Sequence, residues 1–222
     1  SNVSKQFIHI YGKPVLAHTL QSFENCEKIN SIFVVVPKGC IAYCFDEIIG
    51  KYSFKKVKEV VEGGNTRQDS VYNALKRIPE KCRIVSIHDG VRPLITSREI
   101  GDLVSKLVRF NKKDETVKGV IIASPAYETV KKIDYDNLID HTITRSLVCM
   151  AQTPQTFFFK ELLEAYKKAK ADDFTGTDDA SLVERMGWKV KVFIGHHENI
   201  KITTPLDLFL AELIMHRNGK VK

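Results

Sequence analysis

The sequence predicts an α/β fold in which a mixed, mostly parallel sheet lies between layers of helices. Short, mostly apolar runs rich in β-branched side chains, typical of strands covered on both faces, occupy residues 32–37, 84–88 and 117–123. The segments between them carry apolar residues three or four positions apart, as amphipathic helices do. This alternation of strand and helix indicates central parallel strands in a layered sandwich.

The helices that flank the first strands are predicted from two apolar sets. The first set is Val15, Leu16, Leu20 and Phe23, and the second is Val71, Ala74, Leu75 and Ile78. Pro14 is expected at the first position of the earlier helix, where a missing N–H costs nothing. Further along we predict helices at 160–171 and 178–186, a strand at 189–194 and a last helix from Leu206.

Residues 125–146 break the alternation. Two extended-looking stretches there flank a turn at residues 134–137, which predicts a protruding β-hairpin arm. Because an isolated hairpin is marginally stable in water, we expect the arm to pack on a second subunit and make a homodimer. With 222 residues, 43% of them hydrophobic, the chain fits a single domain.

The net charge of +7 suits nucleic acid, an anionic membrane surface or small phosphorylated substrates. Lys and Arg are spread along the chain without a dense basic run interleaved with aromatics, which favours phosphorylated small molecules over nucleic acid. No apolar stretch reaches the roughly 18 residues of a membrane span, and no signal peptide opens the chain, so we expect a cytoplasmic protein. The five cysteines indicate free thiols, although Cys40 and Cys44 would form half of a zinc site on a helical turn.

Three motifs near strand ends suggest anion binding. Lys5 is a candidate phosphate ligand, or a solvated surface charge. Gly63 and Gly64 lead from a strand into a helix, where exposed amides favour anions or base carbonyls and Ser70 adds a hydroxyl; a plain turn is equally consistent. After the buried strand at 84–88, Asp89 can bind a ribose hydroxyl or a magnesium-nucleotide complex and Arg92 a phosphate, or the two can simply pair.

Three further motifs are weaker by themselves. Thr153 lies in a Thr-Pro sequence that indicates a turn. Thr177 is expected to cap the helix at 178–186, whose first turn carries two acids. Lys201 alternates with Ile200 and Ile202 on a predicted strand, as exposed edge lysines do.

Together, seven motifs in this order resemble the 2-C-methyl-D-erythritol 4-phosphate cytidylyltransferase family: SKQF, GKPVLAHTL, EGGNTRQDSV, HDGVRP, AQTPQTF, TDDAS and NIKITTPLDL. The resemblance runs from Val3 to about Leu213. It implies a Rossmann-like fold of the nucleotide-diphospho-sugar transferase type, with an arm that crosses to a dimer partner. It also implies transfer of CMP from CTP to methylerythritol phosphate, giving 4-diphosphocytidyl-2-C-methyl-D-erythritol and pyrophosphate.

The resemblance also implies roles for individual residues. Lys5 stabilises charge developing at the α-phosphate, and Arg145 and Lys201 position the attacking phosphate, Arg145 in the neighbouring subunit's site. The positions that match CTP-binding residues are Gly63, Gly64, Asn65, Ser70, Asp89 and Gly90. Those that match the methylerythritol-phosphate side are Arg92, Thr129, Arg145, Thr153, Thr177 and Lys201. Mg²⁺ is implied as a cofactor held mainly by the CTP phosphates, with no protein metal ligand.

Two alternatives stay open from the sequence. Gly90-Val91 is similar to the ribitol-phosphate cytidylyltransferases of the same superfamily, whereas TDDASL and ITRSLVCMAQTPQ are more similar to the methylerythritol enzymes. A nucleotide-binding protein without turnover is an alternative of another class, disfavoured because Lys5, Arg145 and Lys201 are all present. The family opens with a strand and a glycine-rich loop just before the equivalent of Ser4-Lys5, so we expect such a segment to precede this one in the full-length protein.

Overall fold

The structure, a computed structural model, describes residues 4–219. Its strands are β1 His9–Ile10, β2 Lys13–Pro14, β3 Ile32–Val36, β4 Val57–Glu62, β5 Ile84–Ile87, β6 Val117–Pro125, β7 Lys131–Ile133, β8 Ile139–Thr142, β9 Cys149–Phe158 and β10 Lys189–Ile194. Its α-helices are α1 Val15–Glu24, α2 Ile41–Cys44, α3 Arg67–Leu75, α4 Ser97–Lys113, α5 Phe159–Ala171, α6 Asp179–Arg185 and α7 Pro205–Arg217. A π-helix, Phe45–Gly50, follows α2, and short 3₁₀ helices occupy Lys5–Phe7 and Arg145–Leu147.

The main sheet has the strand order β10-β6-β9-β5. β10 pairs with β6 in parallel, and β9 pairs antiparallel with both β6 and β5. Three of these four strands therefore run in one direction, which confirms the predicted mixed, mostly parallel α/β sheet. β5 runs parallel to β6 and β10, as expected, and its hydrogen-bonded partner among residues 4–219 is the reversed strand β9. β3 and β4 pair in parallel as a separate two-stranded sheet.

The continuously apolar sequence of β6 is explained by helices that pack on both of its faces. Val120 and Ile122 pack into a cluster with the buried face of α4, whereas Ile121 packs on the other side against α5 and α6. All three are at most 7% exposed. Full burial of such a side chain stabilises the fold by about 1.5–3 kcal/mol. Because the side chains of β6 are buried on both faces of the sheet, this one strand stabilises the packing of both helical layers.

Capping boxes define the start of four helices. In α3, α4 and α7 a threonine side chain accepts the N–H of an acidic residue three positions on, and that acid accepts the threonine's N–H in return. In α6 the cap is Asp178, which accepts the N–H of Ser181 at 2.9 Å. The predicted cap Thr177 is therefore wrong, because the carboxylate one residue later completes the box. Pro14 precedes α1 as its N-cap, one position earlier than predicted.

The Thr153-Pro154 sequence lies inside strand β9, so the predicted turn is wrong. Its peptide bond is cis. The pairing register moves from Ile121↔Gln155 to Ala123↔Ala151, so residues 152–154 of β9 stand opposite one residue of β6. Such a bulge re-aims side chains near a functional site. The Thr-Pro sequence predicts a turn from local sequence alone, whereas the extended conformation results from hydrogen-bonded pairing with the neighbouring strands β6 and β5.

The segment predicted as an arm contains the two-stranded hairpin β7–β8. The side chains of Ile133, Leu138 and Ile139 are all more than half exposed. A role for this hairpin in dimerisation stays a prediction. The five cysteines are free thiols, and burial raises the pKa of Cys44 to about 11.

Candidate functional site

Asp89 stands at the centre of a cluster of cations beyond the carboxyl end of β5. Its Oδ2 atom lies 3.1 Å from Lys201 Nζ and 3.4 Å from Arg92 Nε, and its Oδ1 atom lies 3.5 Å from Arg67 Nε. Burial alone would raise the pKa of Asp89, but Lys201, Arg67 and Arg92 together hold that pKa below its usual value. The predicted Asp-Arg pair is thus present, within a larger group that collects residues from three separate segments.

A second layer of hydrogen bonds shapes the loop that carries Asp89. The Asp89 N–H donates to Thr153 Oγ1 at 3.0 Å, Thr153 Oγ1 lies 3.0 Å from His88 Nδ1, and His88 Nε2 lies 3.2 Å from the Arg92 carbonyl. Burial lowers the pKa of His88 to about 4, so the ring is neutral at pH 7. A carbonyl only accepts, so Nε2 carries the proton and Nδ1 accepts from the Thr153 hydroxyl. Thr153, in the bulge of β9, therefore fixes the loop through hydrogen bonds to Asp89 and His88.

Arg67 connects this cluster to a buried carboxylate that sequence reasoning missed. Its guanidinium donates to Asp179 Oδ2 at 2.6 Å, and the Tyr166 hydroxyl donates to Asp179 Oδ1. Asp179 is fully buried, whereas the Arg67 side chain is 39% exposed. Burial, and then Asp179, raise the pKa of Tyr166. Both charged residues lie within quoted motifs, but nothing local indicates that positions 112 apart form a pair.

The glycine pair shapes the entry into α3. Gly63 N–H donates to the Val36 carbonyl at 2.8 Å, and Gly64 N–H donates to Ser70 Oγ at 3.0 Å. A Cβ atom on Gly64 would lie 2.3 Å from Asp69 Cβ, so this position admits only glycine without a backbone shift. Asn65 is exposed beside them. The Ser70 hydroxyl in turn donates to the Thr66 carbonyl at 2.8 Å, so the two glycine N–H groups and this hydroxyl are engaged within the chain and the predicted exposed amides are not observed. A ligand role for the motif stays a prediction.

Lys5 and Lys201 meet at one irregular segment. Lys5 Nζ donates to the Thr203 carbonyl at 2.6 Å, two residues after Lys201. The strand predicted at Lys201 is wrong, since residues 201–203 belong to no strand. Ile202 is buried and its N–H donates to the Val91 carbonyl at 2.9 Å, which fixes the segment beside the Asp89 loop.

Three other predicted residues make their contacts outside this cluster or are exposed. Arg145 donates to the Tyr127 carbonyl at 2.9 Å, and Thr129 and Thr177 are exposed. Across residues 4–219, no hydrogen bond or ion pair joins these three to Asp89 or its cationic partners. Gly90 lies inside the Asp89 loop, where its carbonyl accepts the Thr19 hydroxyl at 3.0 Å.

The donor set does not fit a magnesium ion held by the protein alone. Within the described range, no three His, Cys, Asp or Glu side chains are grouped to hold a metal. Asp89, the acid predicted beside a magnesium-nucleotide complex, is already opposed by three cations. In the same range no helix is long and apolar enough to cross a membrane.

Comparison with known proteins decides the family. Residues 1–217 match the family 2-C-methyl-D-erythritol 4-phosphate cytidylyltransferase. The chain belongs to this family. The resemblance stated from the seven motifs is thereby confirmed, as is the nucleotidyltransferase class that uses CTP as co-substrate.

Relatives named 2-C-methyl-D-erythritol 4-phosphate cytidylyltransferase occur in several bacteria. That of Syntrophus aciditrophicus is 44% identical over 217 residues, which is 98% of this chain and 90% of the relative. That of Alkaliphilus oremlandii is 42% identical over 220 residues, with the same coverage. Among solved structures, 4-diphosphocytidyl-2C-methyl-D-erythritol synthase of Anaerococcus prevotii is similar with a TM-score of 0.84 and 34% identity, covering 96% of this chain and 93% of that one.

Proposed function

We propose that this chain, acting as one cytidylyltransferase domain, transfers CMP from CTP to 2-C-methyl-D-erythritol 4-phosphate. A phosphate oxygen of the acceptor forms a bond to the α-phosphorus of CTP. The bond from that phosphorus to the bridging oxygen of the β-phosphate breaks, and pyrophosphate leaves with the electron pair. The products are 4-diphosphocytidyl-2-C-methyl-D-erythritol and pyrophosphate.

The observation that carries the proposal is the excess of cations around Asp89. Lys201, Arg92 and Arg67 all lie within 3.5 Å of its carboxylate, and Lys5 is tied to the same segment as Lys201. A phosphate dianion must approach a triphosphate in this reaction, so positive charge has to offset the repulsion before a bond forms. The cluster offers that charge beyond the carboxyl end of a strand, where α/β sheets bind ligands.

Each predicted residue takes a place in this scheme. Lys5 stabilises the charge that develops on the α-phosphate, while Lys201 and Arg92 bind the phosphate of the acceptor. The glycine turn at residues 63–70 receives the cytidine, with Asp89 and Gly90 beside the ribose. Thr153 supports the Asp89 loop on the acceptor side.

The remaining predicted residues complete the acceptor side of the site. Thr129 and Thr177 line it, and Arg145 reaches the site of the neighbouring subunit in a homodimer built through the β7–β8 hairpin. Mg²⁺ arrives with CTP as a complex of its phosphates, because the carboxylate of Asp89 is already paired with three cations.

Proton transfer by a general base is not required. A phosphate monoester is deprotonated near neutral pH, so the side chains act by position and charge, as in phosphoryl transfer generally. His88 is unsuited to act as a base because it is buried, its pKa is about 4, and both ring nitrogens are engaged. Lys201 is paired with Asp89 at 3.1 Å, which keeps its ammonium group at the position where an incoming phosphate would take over as partner.

The test is pyrophosphate release by the full-length protein with CTP and Mg²⁺, comparing methylerythritol 4-phosphate with ribitol 5-phosphate. We expect the first acceptor to be used in preference, since the relatives are named for it. Lys5→Ala and Lys201→Ala should each lower kcat by about 10²–10³, the usual loss for one charge-stabilising group. Lys167→Ala, on the exposed side of α5, is the matched control and should keep full turnover.

Each contrary result has a defined meaning. Preference for ribitol 5-phosphate would mean that the protein activates a different polyol phosphate, namely ribitol phosphate. Binding of CTP without pyrophosphate release from either acceptor would make the chain a nucleotide-binding protein. Wild-type turnover in Lys201→Ala would refute the role of the cation cluster.

A further inference from the structure

Asn199 is a buried residue that is bonded to two separate parts of the Asp89 cluster. It is 2% exposed, and its Nδ2 atom donates to the Thr153 carbonyl at 2.9 Å and to Gln152 Oε1 at 3.2 Å. Its own carbonyl accepts Arg92 Nη1 at 2.7 Å. One uncharged residue therefore joins the bulge of β9 to the arginine of the Asp89 loop.

The contact with Asn199 fixes the direction of the Arg92 guanidinium. Arg92 Nε lies 3.4 Å from Asp89 Oδ2, and Nη1 makes the shorter contact, to the Asn199 carbonyl. A guanidinium is planar and rigid, so contacts through two different nitrogens leave it one orientation and set the direction of its remaining N–H groups. The position of the Asn199 carbonyl therefore determines how Arg92 meets a ligand.

Lys201 is carried by the same segment, two residues after Asn199. Residues 200–203 form no helix or strand, so no regular ladder of hydrogen bonds holds them. The segment is fixed by single contacts: the Asn199 N–H donates to the His196 carbonyl at 3.2 Å, and the Ile202 N–H donates to the Val91 carbonyl at 2.9 Å. The side-chain amide of Asn199 adds two more contacts at the residue where this segment begins, and Lys201 lies 3.1 Å from Asp89.

We propose that Asn199 is a positioning residue for the acceptor phosphate, acting through Arg92, Thr153 and Lys201. The inference rests on the proposed function, in which Arg92 and Lys201 bind that phosphate. Asparagine suits the position because Nδ2 donates to two oxygens without bringing a charge into a buried place. Ionised aspartate has the same shape but only accepts hydrogen bonds, so its oxygen would face the Thr153 carbonyl and displace the segment.

The experiment compares Asn199→Asp with wild type in the pyrophosphate-release assay, with each substrate varied in turn. The KM for methylerythritol 4-phosphate should rise at least about ten-fold, since misplacement by about 1 Å can cost up to about 10²-fold. The KM for CTP should change far less. A loss of folded protein alone would lower the rate and leave both KM values unchanged, so the difference between the two KM values separates positioning from stability.

Asn111→Asp is the matched control. Asn111 Nδ2 donates to the Val117 carbonyl at 3.0 Å near the C-terminal end of α4, so the change removes the same kind of contact elsewhere. Its two KM values should equal those of wild type. Asn199→Ala removes the amide without adding a charge and makes the same test if Asn199→Asp does not fold.

A direct binding measurement keeps this test separate from that of the reaction. Isothermal titration with methylerythritol 4-phosphate, in the presence of CTP and with EDTA in place of Mg²⁺, should give a Kd at least about ten-fold higher for Asn199→Asp. If wild type binds more tightly than the variant but releases no pyrophosphate, the proposed reaction fails and the positioning role stands. Equal affinities in the two proteins, including no binding by either, would overturn the positioning role. An equal rise in the KM for CTP, or in the acceptor KM of Asn111→Asp, would overturn it as well.

Discussion

Replacement of Asp179 by Asn tests whether the buried carboxylate supports the site through Arg67. The two side chains are joined at 2.6 Å, and Asp179 has no exposed surface. Asn has the same shape and can keep a hydrogen bond to the Tyr166 hydroxyl. It carries no charge, so the guanidinium of Arg67 loses its nearest anion and keeps only Asp89 at 3.5 Å.

The magnitude follows from burial. Breaking a fully buried ion pair costs about 3–5 kcal/mol. The Arg67 side chain is 39% exposed and can recover part of this from water, so the loss in free energy of unfolding should be about 2–3 kcal/mol. For a chain of this size that lowers Tm by roughly 4–12 °C. The first turn of α3 also loses its connection to α6, so the affinity for CTP should fall.

Urea denaturation measures the stability, and isothermal titration with CTP measures the affinity. The matched control is Asp172→Asn, which removes an Asp-Arg pair of the same 2.6 Å length, to Arg185, on the exposed surface. Its effect on stability should be far smaller, because water screens exposed pairs. If Asp172→Asn and Asp179→Asn lose equal stability, burial is not the source of the effect and the reasoning is refuted.

Three further outcomes are expected. If the hairpin forms a shared site, Arg145→Ala and Lys5→Ala subunits mixed together regain activity that neither homodimer has; no recovery in the mixed sample argues against shared sites. The pKa of His88 is about 4 in the fold and ordinarily 6.5, so between these two values the folded state binds fewer protons than the unfolded state. The free energy of unfolding therefore decreases as the pH is lowered through this range. From pH 6.5 to 5 this amounts to about 2 kcal/mol, and urea titrations of His88→Asn should show a flatter pH profile than wild type. Gly64→Ala places a Cβ 2.3 Å from that of the third residue of α3, so CTP affinity and Tm should both drop. Gly101 lies within α4, and the nearest atom to an added Cβ there is 3.6 Å away, so Gly101→Ala should leave CTP affinity and Tm unchanged. Equal losses in the two variants would contradict the steric argument.

The secondary structure was largely determined by local sequence. The predicted strand at 189–194 coincides with β10, and the helix predicted at 160–171 begins one residue earlier as α5. Periodicity works here because each element buries one or both faces, and the spacing of apolar residues records which faces those are. The glycine turn and the Asp89 loop were predictable for the same reason, since each follows a recognisable strand.

Pairings between distant segments were decided only by the tertiary structure. The sequence around Thr153-Pro154 indicates a turn, yet β6 and β5 draw it into a bulged strand. The link from Arg67 to Asp179 spans 112 positions and leaves no local pattern. The placement of Lys201 beside Asp89 likewise depends on Ile202 anchoring an irregular segment. Apolar periodicity reflects what a residue's neighbours in the chain require, whereas charge pairing depends on which segments the completed core brings within a few ångströms.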